Sequence, residues 1–269
     1  MQRGWGEWSP FEQEVRHLPT TWEEYPAEQQ CVERSYDYLP DLELVLELAR
    51  RAGGPILDLA CGTGRIAVAL AREGYEVVGL DFNTGFIARA RAEAERIRDE
   101  LAGSVRFVVG DARSFDLPER FGLIVMMDQA FKYLLHHDDH LDCLHSVREH
   151  LRDEGRFLVE HRCLFKLPDA GAGETYSFAW NGVEWAGVDT YDPIQQVGVT
   201  AFQPVDQPDT LPSLDPCRDF TYQELALLHK VVGFELDEIV NDLDERPETT
   251  PYFDAAMVLK KSAPWRPRQ

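Results

Sequence analysis

At 269 residues with 44% hydrophobic side chains, the chain is long enough for one α/β domain with an insertion, or for one and a half domains. Its 48 acids against 27 bases leave a net charge of −21, which speaks against a nucleic-acid partner, because a phosphate backbone is held by clustered Lys and Arg. Five scattered cysteines without a C-x-x-C pair indicate neither a disulfide framework nor a zinc site.

The opening residues, Met1-Gln-Arg-Gly-Trp-Gly-Glu-Trp8, are no signal peptide, and no apolar run approaches the roughly 18 residues of a membrane span. A cytoplasmic protein that meets neither membrane nor nucleic acid is expected. Residues 1–30 lack periodicity, and a first helix follows on Leu42, Val45, Leu46 and Ala49, stopping at Gly53-Gly54-Pro55. Strand 55–59, helix 65–72, strand 75–80 and helix 84–102 come next, the last with Phe86, Ile87, Ala90, Ala94, Ile97 and Leu101 as its apolar stripe. Strands 105–109 and 121–127, helix 138–152 and strand 156–160 complete this half. Alternating strands and helices predict a parallel sheet covered on both faces, with ligands at the carboxyl ends of its strands.

From 162 to 219 the pattern changes. Residues 174–180, 183–191 and 194–202 read as short antiparallel strands joined at Asn181-Gly182 and Asp192-Pro193, and 204–217 reads as a proline-rich return. Helix 221–232 opens with a Thr-x-x-Glu capping box (Thr221, Glu224), and strands 234–240 and 252–260 finish the sheet. The expected domains are a cap segment at 1–40, a cofactor domain at 41–161 and 220–261, a β lid at 162–219 over the acceptor site, and a disordered tail at 262–269.

Chemistry concentrates in residues 56–65, Ile-Leu-Asp-Leu-Ala-Cys-Gly-Thr-Gly-Arg, where an apolar strand runs into two glycines and then a helix. Such a turn brings backbone N–H groups and the positive end of a helix dipole onto a ligand. Gly62-x-Gly64-x-x-Ala67 fits a dinucleotide fingerprint, with Asp81 in place for a ribose. However, Asp58 inside the strand and Asp111 at a neighbouring strand end add carboxylates that would repel a pyrophosphate and suit a cationic sulfonium.

Asp58-Leu-Ala-Cys-Gly-Thr-Gly-Arg65, Val78-Gly-Leu-Asp81 and Gly110-Asp-Ala112 resemble, in order and spacing, the first three motifs of class I S-adenosylmethionine (SAM) methyltransferases. The likeness covers residues 32–261 and is to the small-molecule branch, the glycine/sarcosine and amino-sugar N-methyltransferases. It implies a Rossmann-like seven-stranded sheet of order 3-2-1-4-5-7-6, its last strand antiparallel, with an antiparallel β lid, and SAM as cofactor. By this resemblance the backbone of Ala60, Cys61, Gly62 and Gly64, bordered by Asp58, Arg65 and Met127, faces the methionine part. Asp81 takes the ribose hydroxyls, Phe82 lies on the adenine, Asp111 and the Ala112 N–H bind its edge, and Tyr36 closes over the site.

The acceptor should lie past strand four, at Ile124-Val-Met-Met-Asp128-Gln-Ala-Phe131-Lys-Tyr133. This segment has no Asn/Asp-Pro-Pro-Tyr and no Pro-Cys, which argues against nucleic-acid methylation. Tyr133 stands where some sugar-amine enzymes carry a histidine, and at strand five His161 is the candidate base with Glu160 to orient it or to bind a cationic acceptor. The lid aromatics Tyr176, Phe178, Trp180, Trp185 and Tyr191 alternate, and can form an acceptor box, receive a cation or fill the insertion's own core. Around His136, His137, His140, Cys143 and His145, the acids Asp138 and Asp139 suit a helix start, the histidines fall on its wet face, and no metal is expected. The expected function is methyl transfer from SAM to a small molecule, at an amine nitrogen first and oxygen next, by a monomer or homodimer. The alternatives are non-methyl chemistry on SAM such as its cyclisation, an NAD-dependent oxidoreductase, and a non-catalytic SAM-binding regulator.

Overall fold

In a computed structural model, the residues described are 41–164, 171–180, 183–207, 213–239 and 252–266. The cap segment with Tyr36, and the Asn181-Gly182 turn, lie outside them. The described chain falls into two compact units, one of residues 41–164 with 220–266 and the other between 171 and 219.

In the larger unit α1 (Leu42–Ala52) buries Val45, Leu48 and Ala49 and ends at Gly53. β1 (Ile56–Leu59), α2 (Arg65–Arg72), β2 (Glu76–Asp81), α3 (Thr84–Arg96), β3 (Ser104–Val109), β4 (Phe121–Met126), α4 (His137–His150) and β5 (Leu151–Leu164) follow. After the insertion come α5 (Tyr222–Val232), β10 (Phe234–Ile239) and β11 (Tyr252–Lys261). The sheet order is β10-β11-β5-β4-β1-β2-β3. β1, β2, β3, β4 and β5 pair in parallel, whereas β11 runs antiparallel to both β5 and β10. This is the 3-2-1-4-5-7-6 sheet expected.

Strand alternation divides the core in two. Leu57, Leu59, Ile124 and Phe157 point to one face with Leu144 and Val147 of α4 and Leu225 of α5. Ile56, Leu123, Val125 and Leu158 point to the other, with Val45 of α1, Ile66 and Leu70 of α2 and Ile87 of α3. Both faces of β4 are therefore apolar, as a central parallel strand requires.

Several boundaries differ from expectation. α3 ends at Arg96 and gives way to a short 3-10 turn at Arg98–Glu100. β5 is far longer than 156–160, because its outer half pairs with β11 as far as Leu164. The tail is held rather than free at its start: Ser262 N–H donates to Gly233 O (2.8 Å) and Trp265 N–H to Lys230 O (3.3 Å).

The smaller unit is a four-stranded antiparallel sheet of order β6-β7-β8-β9, with β6 Gly171–Trp180, β7 Val183–Asp192, β8 Val197–Pro204 and β9 Ser213–Arg218. β8 starts later than expected because Asp192 Oδ1 accepts from the N–H groups of Ile194 (2.8 Å) and Gln195 (3.1 Å), forming a side-chain turn. β9 falls in the segment read as a return. Its Pro216 hid it, yet proline is tolerated on an outer strand with one unpaired edge.

Asn83 caps α3, its side-chain oxygen accepting from Gly85 N–H (2.9 Å) and Phe86 N–H (3.1 Å). Asn83→Ala should cost about 1–2 kcal/mol in chemical denaturation, and Asn83→Asp much less; equal losses would show that the cap is not what holds this corner.

Candidate cofactor and acceptor site

Between β1 and α2 the chain turns through Ala60 (φ 58°), Gly62 (φ 55°) and Gly64 (φ 87°). A Cβ on Gly64 would lie 2.6 Å from the Phe107 ring, while one on Gly62 would meet nothing within 4 Å. Gly64 is thus demanded by packing beneath the turn, and Gly62 leaves open space above it for a ligand.

Gly64 is also the N-cap of α2 and has no side chain with which to cap it. Asp58 supplies the missing acceptor from the end of β1: its Oδ2 takes the N–H of Ala67, the third residue of the helix, at 2.9 Å. The carboxyl is only 3% exposed. Burial pushes its pKa up to about 7, against the opposing pull of the Ala67 N–H and the Arg65 guanidinium. Asp58 therefore turns into the helix start and caps α2.

Asp81 closes the other side. Its Oδ2 accepts from Gly62 N–H (2.9 Å) and its Oδ1 from Asn83 N–H (2.8 Å), tying the glycine turn to the end of β2. Burial raises this carboxyl above its ordinary value, and the two N–H groups work against that rise. Cys61 is buried beside both acids, and its thiol is pushed well above the usual range, first by burial and then by their charge. Arg65 is buried, with Nη2 4.0 Å from Asp41 Oδ2.

Phe82 stands 40% exposed at the corner after β2. Past the end of β3, the Asp111 carboxylate takes Arg113 N–H (2.8 Å), Nε (2.9 and 3.0 Å) and Nη2 (2.6 Å), and Arg113 Nη1 reaches Asp139 at 3.2 Å. Ala112 lies beside it, half-buried. β1, β2 and β3 are neighbours in the sheet, so the turn, Asp81, Phe82, Asp111 and Ala112 gather along one edge of it.

At the end of β4, Met127 is buried, and Asp128 and Gln129 both take φ of 57°. Two successive left-handed non-glycine residues mark a strained corner. Glu160 of β5 holds it: its Oε2 accepts from Asp128 N–H at 2.8 Å, and the Asp128 side chain is exposed. A 3-10 turn, Ala130–Tyr133, follows, with Tyr133 half-buried and Lys132 Nζ 4.9 Å from its ring centroid.

His161 does not join this corner. Neighbours on a strand point to opposite faces, so Glu160 cannot orient it. Its ring is 2% exposed and lies 5.1 Å from Phe131, 5.5 Å from His229 and 6.4 Å from Phe220, centroid to centroid. His140, expected on the wet face of α4, is fully buried between Phe131 (4.7 Å) and Phe220 (4.9 Å). Burial holds His161 far below its ordinary pKa, and lowers His229 to about 3. Burial thus disfavours the protonated form of His161 and His229, and His161, packed among rings in the core, is not placed as a general base. Sequence reasoning gave Asp128 no role of its own within the acceptor segment and passed over His229; the period-two rule applied to 160 and 161 would have separated that pair.

Residues 56–155 match a family described as "Methyltransferase domain". The glycine/sarcosine N-methyltransferase of Halorhodospira halochloris is 28% identical over 161 residues, an alignment covering 59% of this chain and 58% of that protein. This chain carries a SAM-dependent methyltransferase domain. Among solved structures, the CcbJ methyltransferase from Streptomyces caelestis superposes with a TM-score of 0.70 at 22% identity, covering 91% of this chain and 100% of that one. SAM-bound CalS10, an amino pentose methyltransferase from Micromonospora echinaspora, gives 0.62 at 20%, covering 85% and 92%. At such identities the structures establish a shared fold.

The residues present in this methyltransferase domain fit SAM: open space above Gly62, a helix start aimed at it, and a buried acid beside it. The antiparallel β11 and the family match displace the dinucleotide reading of Gly62-x-Gly64.

Asp58→Ala should cost about 1–3 kcal/mol by orphaning the Ala67 N–H, and Asp58→Asn, which keeps an acceptor, less than half as much. Equal losses in denaturant melts would contradict the capping role. His229 is neutral when folded and protonates below about 6.5 when unfolded, so it erodes stability as pH falls from 6.5 toward 3. Relative to wild type, His229→Phe should gain about 2 kcal/mol between pH 7 and pH 5, and a pH-independent difference would refute the buried neutral state.

Proposed function

We propose that the protein transfers a methyl group from SAM to an amine nitrogen of a small-molecule acceptor. Bound SAM supplies the electrophilic methyl. The protein has to hold the cofactor, align the incoming nitrogen and exclude water. The Ala60–Gly64 turn would face the methionine part, Asp81 the ribose hydroxyls, and Phe82, Asp111 and Ala112 the adenine. Arg65 and Met127 would border the turn.

The observation that carries the nitrogen reading is the corner where Glu160 fixes Asp128. It offers carboxylates to an ammonium, while the one histidine expected at that place is buried among Phe131, Phe220 and His229. An amine releases its proton to a carboxylate or to water and then carries its own lone pair, so it needs positioning more than a strong base. An aliphatic hydroxyl needs that base. Tyr133 would orient the acceptor. The amino-pentose and glycine/sarcosine enzymes among the similar proteins support the same chemistry.

Incubating the protein with SAM and matched panels of primary amines and alcohols, read by mass spectrometry, tests this. Products one methyl heavier should come from amines, and Asp128→Asn should raise KM for them about tenfold or more with a smaller change in kcat. Methylation confined to alcohols, or an altered SAM without any methylated acceptor, would overturn it.

A further inference from the structure

Among the described residues, the buried cluster of the four-stranded sheet lies on one face. Val188, Val199, Ala201 and Leu214 pack there. Cross-strand partners share a face, and the pairs Tyr176↔Gly187, Phe178↔Trp185, Gly187↔Phe202 and Asp189↔Thr200 all lie on the other. So the aromatic residues lie on the face opposite that cluster. Tyr176 and Phe178 remain 39% and 37% exposed.

On that face Phe178 and Trp185 are near-parallel with centroids 6.5 Å apart, and Phe202 stands edge-on to both at 6.2 and 5.6 Å. Tyr176 continues the row, 6.1 Å from Phe178. Its ring lies across Gly187, where a Cβ would come within 2.8 Å of it, so the glycine makes room for the ring. Its hydroxyl then reaches Asp189 Oδ1 at 3.2 Å, and Thr200 Oγ1 donates to the same oxygen at 2.7 Å. Two hydroxyls thus fix an exposed carboxylate and leave Oδ2 without a partner among the described residues. Burial and Asp189 push the Tyr176 pKa up to about 12, which keeps that hydroxyl a donor. Asp215 sits on the same face opposite Thr200, and no Lys or Arg of the described strands does.

We propose that this face binds an organic ammonium, a protonated or methylated amine with apolar substituents, with Asp189 as its charge partner and Phe178, Trp185 and Phe202 as its aromatic wall. Ring faces attract a cation through their quadrupoles, and an adjacent fixed carboxylate adds charge complementarity that a neutral ligand cannot use. The link to catalysis rests on the amine reading above, because such a surface would collect the substrate or product of amine methylation.

Choline and its neutral isostere 3,3-dimethylbutan-1-ol separate charge from shape. In ligand-observed NMR titrations of the full chain, choline should bind saturably and at least tenfold tighter than the isostere. Asp189→Asn, which still accepts both hydroxyls, and Trp185→Leu should each weaken choline at least tenfold, with S-adenosylhomocysteine binding unchanged as the check on folding. Equal binding of the two probes, or choline binding indifferent to both substitutions, overturns the proposal. So does a dimer in sedimentation that excludes choline and dissociates on Phe178→Asp, since the face then belongs to a second copy. If choline binds as expected but no amine is methylated, the amine reading fails and the surface stands.

Discussion

A helix that begins on glycine cannot cap itself, and much of this cofactor site follows from that. Gly64 is required because Phe107 occupies the space beneath it. The helix start is then left to an acid from the preceding strand, and Asp58 meets the N–H of Ala67, nine residues on, from the end of β1. Strand, turn and helix become one mechanical unit, and Asp81 fastens it to β2 through Gly62 N–H. Both acids are buried, so both carry raised pKa values and are held by backbone donors. The arrangement stiffens a turn whose open side lies above Gly62.

The same bonds explain what could be read from the residues. The order of strands was legible because β/α alternation and glycine stops are local signals, and the three motifs fall at adjacent strand ends. Asp58 was legible as important but not in its role: its distance to Ala67 N–H depends on how the turn closes. β9 was hidden by Pro216, a strand breaker everywhere except at an unpaired edge. His161 was misplaced because a titratable residue beside Glu160 invites pairing, although alternation sends it inward.

The corner after β4 has a different physical character. Two successive left-handed residues, Asp128 and Gln129, are held by one carboxylate, and Phe131 anchors the following turn among buried rings. Strain is fixed there by packing below, and the side chain exposed at the apex, Asp128, is acidic. The smaller sheet repeats the theme, with Asp189 set by two hydroxyls next to aromatic faces. A chain with 48 acids and 27 bases disposes of its surplus charge in part where a cationic ligand would use it.

Calorimetric titration with SAM and S-adenosylhomocysteine, on wild type and Asp81→Ala, tests the cofactor site most directly. Saturable binding of both ligands, weakened at least tenfold by Asp81→Ala in a variant that still folds, is the result that the geometry predicts. No detectable binding to wild type at about 100 μM, equivalent to a free energy weaker than about −5.5 kcal/mol, would contradict it.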